Sequence, residues 1–153
     1  MQEKIDPHYD VRQVLKSDVL CLKQVIKLEK SIFPKHESLA QDFHEHLGKH
    51  ARLFAIILHE DVCGYGIARF TKAKGYIDKL AIREESRRKG MGKAILTEMI
   101  QWLHSLNVES ISLCVLETRE YARKLYEKCG FQAKRTRKNY YKSGKHAIQM
   151  ILE

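Results

Sequence analysis

The sequence predicts an α/β chain, and three observations carry that prediction. Short apolar runs of strand length alternate with segments whose apolar residues recur at helical spacing. A strand-like run, a basic turn holding Gly90 and Gly92, and the start of an amphipathic helix follow one another across residues 76–96. The 153 residues are the size of one domain, expected to span 1–153, and can bury a substantial core.

Residues 9–15 alternate enough for a strand. Ser17 and Asp18 supply N-capping chemistry for a helix to about residue 31, with Val19, Leu22, Val25, Ile26 and Ile32 as its buried stripe. Phe33-Pro34 breaks that helix, because proline lacks a donor and disfavours helical geometry in the residue before it. A second short helix is predicted over 39–49. Residues 51–59 and 62–72, either side of Glu60-Asp61, read as an antiparallel hairpin, and Gly75 opens the strand that enters the glycine turn. Beyond the turn, Ile95, Leu96, Met99, Leu103 and Leu106 define an amphipathic helix with Trp102 beside the stripe. Residues 111–115 form a short strand. Ala122, Leu125, Tyr126 and Cys129 share one face of a helix that Gly130 ends. A strand at 131–137, a polar connection at 138–145 and a last strand at 147–152 complete the chain.

Lys and Arg number 28 against 19 Asp and Glu, a net +9 that attracts anions and argues against polyamine substrates. The basic residues are scattered and no zinc-finger or RNA-recognition signature occurs, so nucleic acid is not the expected partner. Cys21, Cys63, Cys114 and Cys129 lack Cys-x-x-Cys spacing and read as reduced core thiols. His36, His44, His46 and His50 show no His-Glu-x-x-His pattern and no marked third ligand, so no metal is expected. No apolar run reaches bilayer length and the N-terminus lacks a signal-peptide layout, which points to cytoplasm, with the nucleus as the alternative.

The glycine turn is the chemical centre. Glycine tolerates positive φ and lets the backbone approach a ligand, while the first N–H groups of the following helix lack intrahelical acceptors at the positive end of its dipole. Such a turn binds phosphate, and Arg87, Arg88, Lys89 and Lys93 surround it with cations. The spacing does not fit a Walker loop, nor a dinucleotide fingerprint, which needs a small residue where Ile95 stands. Arg87 through Gly92 match Arg/Gln-x-x-Gly-x-Gly/Ala instead, and residues 122–131 then read Ala-x-x-Leu-Tyr-x-x-x-Gly-Phe. In this order the two strings resemble the pyrophosphate loop and the second acetyl-coenzyme A motif of the GCN5-related N-acetyltransferase (GNAT) family, and the resemblance extends over residues 9–152.

That resemblance implies a central mixed, mostly antiparallel sheet of six to seven strands flanked by about four helices, with acetyl-coenzyme A (acetyl-CoA) as cofactor. It implies that the pantetheine arm lies beside Leu80, Ala81 and Ile82, where a main-chain N–H near Leu80 or Ala81 polarises the thioester carbonyl. The pyrophosphate is implied over Arg88, Lys89, Gly90, Met91, Gly92 and Lys93, with Arg87 at the head of the turn. Tyr126 matches the tyrosine that protonates the leaving thiolate, and a core tyrosine can pack its ring and still offer its hydroxyl.

Two positions depart from the family pattern. Cys114 stands where relatives of the N-terminal (α-amino) acetyltransferase branch carry glutamate or histidine. A thiol, with pKa about 8.5 that apolar burial raises further, is a poor substitute, and a small buried wall residue is its other reading. Arg119 stands where many relatives have asparagine near the pantetheine arm, and the resemblance makes it a cofactor-binding residue. Tyr76, which matches a tyrosine that helps hold a catalytic water, is the first candidate for proton acceptance, with Asp78 and Glu117 as alternatives. Phe33-Pro34 and the pair Tyr140-Tyr141 resemble the peptide-contacting loops of the same branch.

A magnitude favours an α-amine as acceptor. With pKa about 7.7–8.0 it is roughly a tenth or more free base at pH 7, against about 0.04% for lysine at about 10.4. The expected function is acetyl transfer from acetyl-CoA to the N-terminal amine of a peptide or protein. The alternatives are a small-molecule amine acetyltransferase and a non-catalytic module that binds CoA or nucleic acid.

Overall fold

The computed structural model describes residues 9–33 and 50–153. Within them seven strands, β1 (Tyr9–Val14), β2 (Ala51–Leu58), β3 (Asp61–Thr71), β4 (Lys74–Ile82), β5 (Ser110–Leu116), β6 (Gln132–Lys142) and β7 (Lys145–Leu152), form one sheet in the order β1-β2-β3-β4-β5-β7-β6. All neighbours are antiparallel except β4 and β5. The sheet is therefore the mixed, mostly antiparallel one expected. Three helices, α1 (Val19–Ile32), α2 (Met91–Ser105) and α3 (Glu120–Lys128), and a 3-10 turn at Glu84–Ser86 accompany it. The helix predicted over 39–49 lies outside the described residues, as does Pro34.

Each face of the sheet has its own core. Against one, α1 buries Leu22 and Val25 onto Tyr65, Ile67 and Ala81. Against the other, α2 buries Ile95, Leu96, Met99 and Leu103, and α3 adds Tyr126. Burying an aliphatic side chain of this size contributes about 1.5–3 kcal/mol, so the α2 stripe alone fixes which face of the helix looks inward. No helix among the described residues is long and apolar enough to cross a membrane.

The structure departs from the sequence pattern at several places. Val19 is exposed, because it begins α1, and the inward stripe runs through Leu22, Val25 and then Glu29. Asp18 stands at the helix start, but its carboxylate accepts from the Leu15 N–H at 2.9 Å rather than capping the helix. Leu106 lies just past the end of α2 and is exposed. Residues 138–142, read as part of a polar connection, continue β6, so Tyr140 and Tyr141 belong to a strand. Asn139 carries positive φ there, and the β6–β7 register shifts between Arg137 and Lys142. That bulge keeps so polar a segment in the sheet while re-aiming its side chains.

The register of two strands creates the site. β4 and β5 pair only from Lys74 and Ser110 to Ile77 and Leu113. Beyond that, β4 stays hydrogen-bonded to β3 as far as Ile82, and β5 to β7 as far as Leu116. Each strand follows its outer neighbour, so the two diverge. The divergence begins at Asp78, which has no partner between the pairs Ile67–Lys79 and Ala68–Ile77, an irregularity of the kind that bends a strand.

Candidate active site

Where β4 and β5 part they leave a cleft of about 350 Å³. Ile77, Asp78, Lys79 and Leu80 line it from β4, and Cys114, Val115 and Leu116 from β5. Arg119, Ala122 and Tyr126 contribute from the start and inner face of α3. Phe33, just past α1, and Tyr140 and Tyr141 of β6 complete the wall.

Tyr126 is 6% exposed and packs edge-on against Phe131 at 5.9 Å. Burial pushes its phenol up to about 12, opposed by Arg119 and assisted by Cys129. The hydroxyl is thus protonated at neutral pH and available only as a donor of its proton. Cys114 is raised by burial as well, against the opposing pull of Arg137, a hydrogen bond with Tyr140 and Arg135. Tyr141 donates its hydroxyl to the Cys114 carbonyl at 3.1 Å, which ties the β6 bulge across the cleft to β5. Tyr140 meets Tyr141 edge-on at 5.0 Å, and burial is the first cause raising both phenols.

The candidates for proton acceptance are not gathered in one place. Asp78 lines the cleft, but both its oxygens are engaged by Arg69, at 2.8 and 3.2 Å. Tyr76 lies outside the lining, its ring under the Arg69 guanidinium at 4.2 Å. Glu117 also lies outside it, with its carbonyl accepting from Arg123 and its N–H donating to the His146 carbonyl.

Behind the β4 wall lies a buried ionic cluster that sequence reasoning misses. Glu29 is fully buried on the inner face of α1, and its Oε1 accepts from the Tyr65 hydroxyl at 2.7 Å and lies 3.3 Å from Lys79 Nζ. Its Oε2 is buried with no hydrogen-bond partner among the described residues. Lys79, with a side chain only 11% exposed, rests its ammonium 3.6 Å from the Phe33 ring centroid. The signal that could have found it is a charged residue in register with an apolar helix stripe, together with a lysine inside an apolar strand.

At the other end of β4 the glycine turn takes its shape from two different demands. Gly90 has φ 81°, the left-handed conformation that glycine adopts without a Cβ penalty, and it starts α2. Gly92 answers to space, since a Cβ there would sit 3.2 Å from Leu125 of α3. Gly90 offers no capping side chain and the first turn has no acid. The first helical bond is Ala94 N–H to Gly90, so the N–H groups of Met91, Gly92 and Lys93 have no acceptor among the described residues. Arg87, Arg88, Lys89 and Lys93 are exposed around them. Arg87 donates from Nε to the Ile82 carbonyl at 2.9 Å, bracing the turn against β4, and Arg88 stacks over Tyr121 at 4.2 Å. Unpaired helix N–H groups ringed by cations make an anion site.

The four cysteines are free thiols, with Cys63 buried and the others half-buried. No group of three His, Cys, Asp or Glu side chains among the described residues is placed to hold a metal, and His36, His44 and His46 lie outside those residues.

The acetyltransferase (GNAT) family model matches residues 22–131. An N-alpha-acetyltransferase of Sulfolobus acidocaldarius is 27% identical over 157 residues, which cover 94% of this chain and 91% of that protein. The fold is similar to that of the ribosomal-protein-S18-alanine N-acetyltransferase from Escherichia coli, with TM-score 0.82 and 23% identity over 94% of this chain and 92% of that one. It is also similar to a chain of the NatC complex bound to Gag peptide and CoA, with TM-score 0.84 and 17% identity over 95% and 98% of the two chains.

Proposed function

Since this chain belongs to the acetyltransferase (GNAT) family, we propose that it transfers acetyl from acetyl-CoA to the N-terminal α-amine of a peptide or protein. The single observation that carries this reading is the cleft between β4 and β5, which has a buried tyrosine and aromatic side chains in its wall, while β4 runs on from it toward the glycine turn. The N-alpha-acetyltransferase relative supports the choice of amine.

The residues fit the cofactor. Met91, Gly92 and Lys93 N–H groups, with the side chains of Arg88, Lys89 and Lys93, hold the diphosphate at the start of α2, and Arg87 keeps the turn in place. Leu80, Ala81 and Ile82 lie where β4 no longer pairs with β5, so that edge is open to the amide groups of the pantetheine arm. A main-chain N–H near Leu80 or Ala81 polarises the thioester carbonyl. When bound, acetyl-CoA supplies an acyl thioester that an amine attacks directly.

Tyr126 is the acid in this scheme. As the new C–N bond forms and the C–S bond breaks, its hydroxyl gives a proton to the departing sulfur. The amine loses its own proton to water, and a proton from solvent restores the Tyr126 phenol before the next turnover. Cys114 serves as wall and Asp78 is held by Arg69, so the reaction draws on the free-base fraction of the amine, roughly a tenth or more for an α-amine at pH 7 against about 0.04% for a lysine. Tyr76 sits beneath Arg69 outside the cleft lining, so no direct part in accepting the proton is given to it. Phe33, Tyr140 and Tyr141 bound the slot through which the chain end enters, Pro34 following Phe33.

The test is a competition. Incubation with acetyl-CoA and two versions of one peptide, one with a free α-amine and no lysine, the other N-terminally blocked with one lysine, is read by mass spectrometry. Acetylation of the first at least tenfold faster is expected. Preferential lysine acetylation, or turnover of small amines with neither peptide modified, overturns the reading.

A further inference from the structure

Three ionised side chains line the cleft, Asp78, Lys79 and Arg119. Two of them are matched by a neighbour of opposite charge. Asp78 has Arg69 on both oxygens, and Lys79 has the buried carboxylate of Glu29 at 3.3 Å. The Arg119 side chain makes no hydrogen bond or ion pair among the described residues, and its guanidinium lies 5.3 Å from the Phe33 ring centroid. It shares the cleft lining with the uncharged phenols of Tyr126 and Tyr141, both of which its charge pulls downward in pKa. A second cation stands behind them, for Arg137 approaches Cys114 and Tyr140, and its Nε is buried with no acceptor among the described residues.

The cofactor as fitted above does not need this charge. Its diphosphate belongs to the turn at the far end of β4, its ribose 3′-phosphate lies beyond that diphosphate, and the pantetheine arm is neutral. The Arg119 side chain is instead turned toward Phe33, the side on which the acceptor enters. A guanidinium presents a planar fork of donors that matches a carboxylate.

We infer that Arg119 is a specificity-determining residue that pairs with a carboxylate side chain at the first or second position of the acceptor peptide, so that acidic N-termini are the preferred substrates. This rests on the N-terminal acetyltransferase reading and names its substrate class. The chain's net charge of +9 works in the same direction by drawing acidic partners.

The experiment compares kcat/KM at saturating acetyl-CoA for matched peptides carrying Asp or Asn, Glu or Gln, and Lys at position one or two. Arg119 is exposed and its side chain loses no bond on substitution, so Arg119→Gln and Arg119→Glu are expected to fold. The wild type is expected to favour acid over amide by about tenfold or more, the scale of one well-formed charge pair. Arg119→Gln brings that ratio close to one, and Arg119→Glu turns the preference toward the lysine peptide. The ratio is taken within each variant, so a general loss of activity or of cofactor affinity cancels. A wild-type ratio near one, or the same ratio in Arg119→Gln, overturns the inference while leaving N-terminal acetylation standing. If no peptide is acetylated although acetyl-CoA is bound, the N-terminal reading falls and this inference with it.

Discussion

The two ends of the candidate site, the glycine turn and the cleft, are built from different materials. Toward the glycine turn, recognition is main-chain work: Gly90 adopts positive φ, Gly92 lets α2 approach α3, and three N–H groups find no acceptor among the described residues. Toward Phe33, it is side-chain work, assembled from α1, β3, β4, β5, β6 and the start of α3. The first kind depends on a few consecutive residues. The second depends on contacts between segments far apart in the chain, so it is more readily altered and more costly to break.

The largest expected effect lies at the side-chain end. Glu29→Ala takes the carboxylate away from the Lys79 ammonium, whose side chain is 11% exposed, and from the Tyr65 hydroxyl, and empties its own pocket. Removing one partner of a buried pair costs about 3–5 kcal/mol, and with roughly 2–4 °C per kcal/mol in chains of this size the melting temperature should fall by about 10 °C. The double change Glu29→Gln with Lys79→Met removes both charges and should cost much less. Equal losses in thermal denaturation of the two variants would show that the ion pair is not what organises this end.

Next comes the point where the two ends meet. Tyr126→Phe should lower kcat by about 100-fold, the scale of general acid catalysis, and leave acetyl-CoA affinity unchanged. The sign with pH follows from the phenol at about 12. The acid is present below that value and lost as pH rises through it, so the wild-type rate should climb with amine deprotonation and show no fall below about pH 11. A descending limb near pH 8 or 9 would assign the acid to another group.

The main-chain end offers a smaller, cleaner contrast. Gly90→Ala forces a Cβ into the left-handed region at a cost of roughly 1–2 kcal/mol, and acetyl-CoA affinity measured by calorimetry should weaken about tenfold as the turn distorts. Gly144, with φ 78° and nothing within 4 Å of where a Cβ would stand, carries the same backbone penalty in the β6–β7 turn. Gly144→Ala should lose similar stability without touching acetyl-CoA affinity. Loss of affinity in both would mean that global stability, not the turn, sets it.

The same division governs what can be read from the chain. The turn and the α3 face are legible because glycine spacing and helical periodicity are local, and Gly90, Leu125 and Tyr126 stand where the pattern puts them. The parting of β4 from β5 is not, since both are ordinary apolar strands and only their outer pairings separate them. Tyr140 and Tyr141 read as loop residues because polar composition outweighs the single αL residue, Asn139, that holds them in a bulged strand. The cluster of Glu29, Tyr65 and Lys79 stays hidden because a charged residue on a helix stripe is ordinarily read as its solvent edge, and its partners come from other segments.

The smallest effect is the most discriminating. Cys114 lines the cleft, and the family resemblance nominates it because relatives carry glutamate or histidine there. Its surroundings work against that role. Burial is the dominant influence on the thiol and favours the protonated form, and its closest partner, Tyr140, is itself a neutral phenol at physiological pH. A protonated thiol cannot take the ammonium proton, whereas a true general base typically contributes about 10²–10⁴-fold. Cys114→Ala should therefore keep kcat on an N-terminal peptide within about threefold, well short of that range. Tyr141 should remain tied to β5, because it bonds the main-chain carbonyl at 114 and not the side chain. A loss of a hundredfold, with acetyl-CoA affinity intact and the fold unchanged, would make Cys114 the proton acceptor and move the chemistry of this cleft from its cofactor end to its amine end.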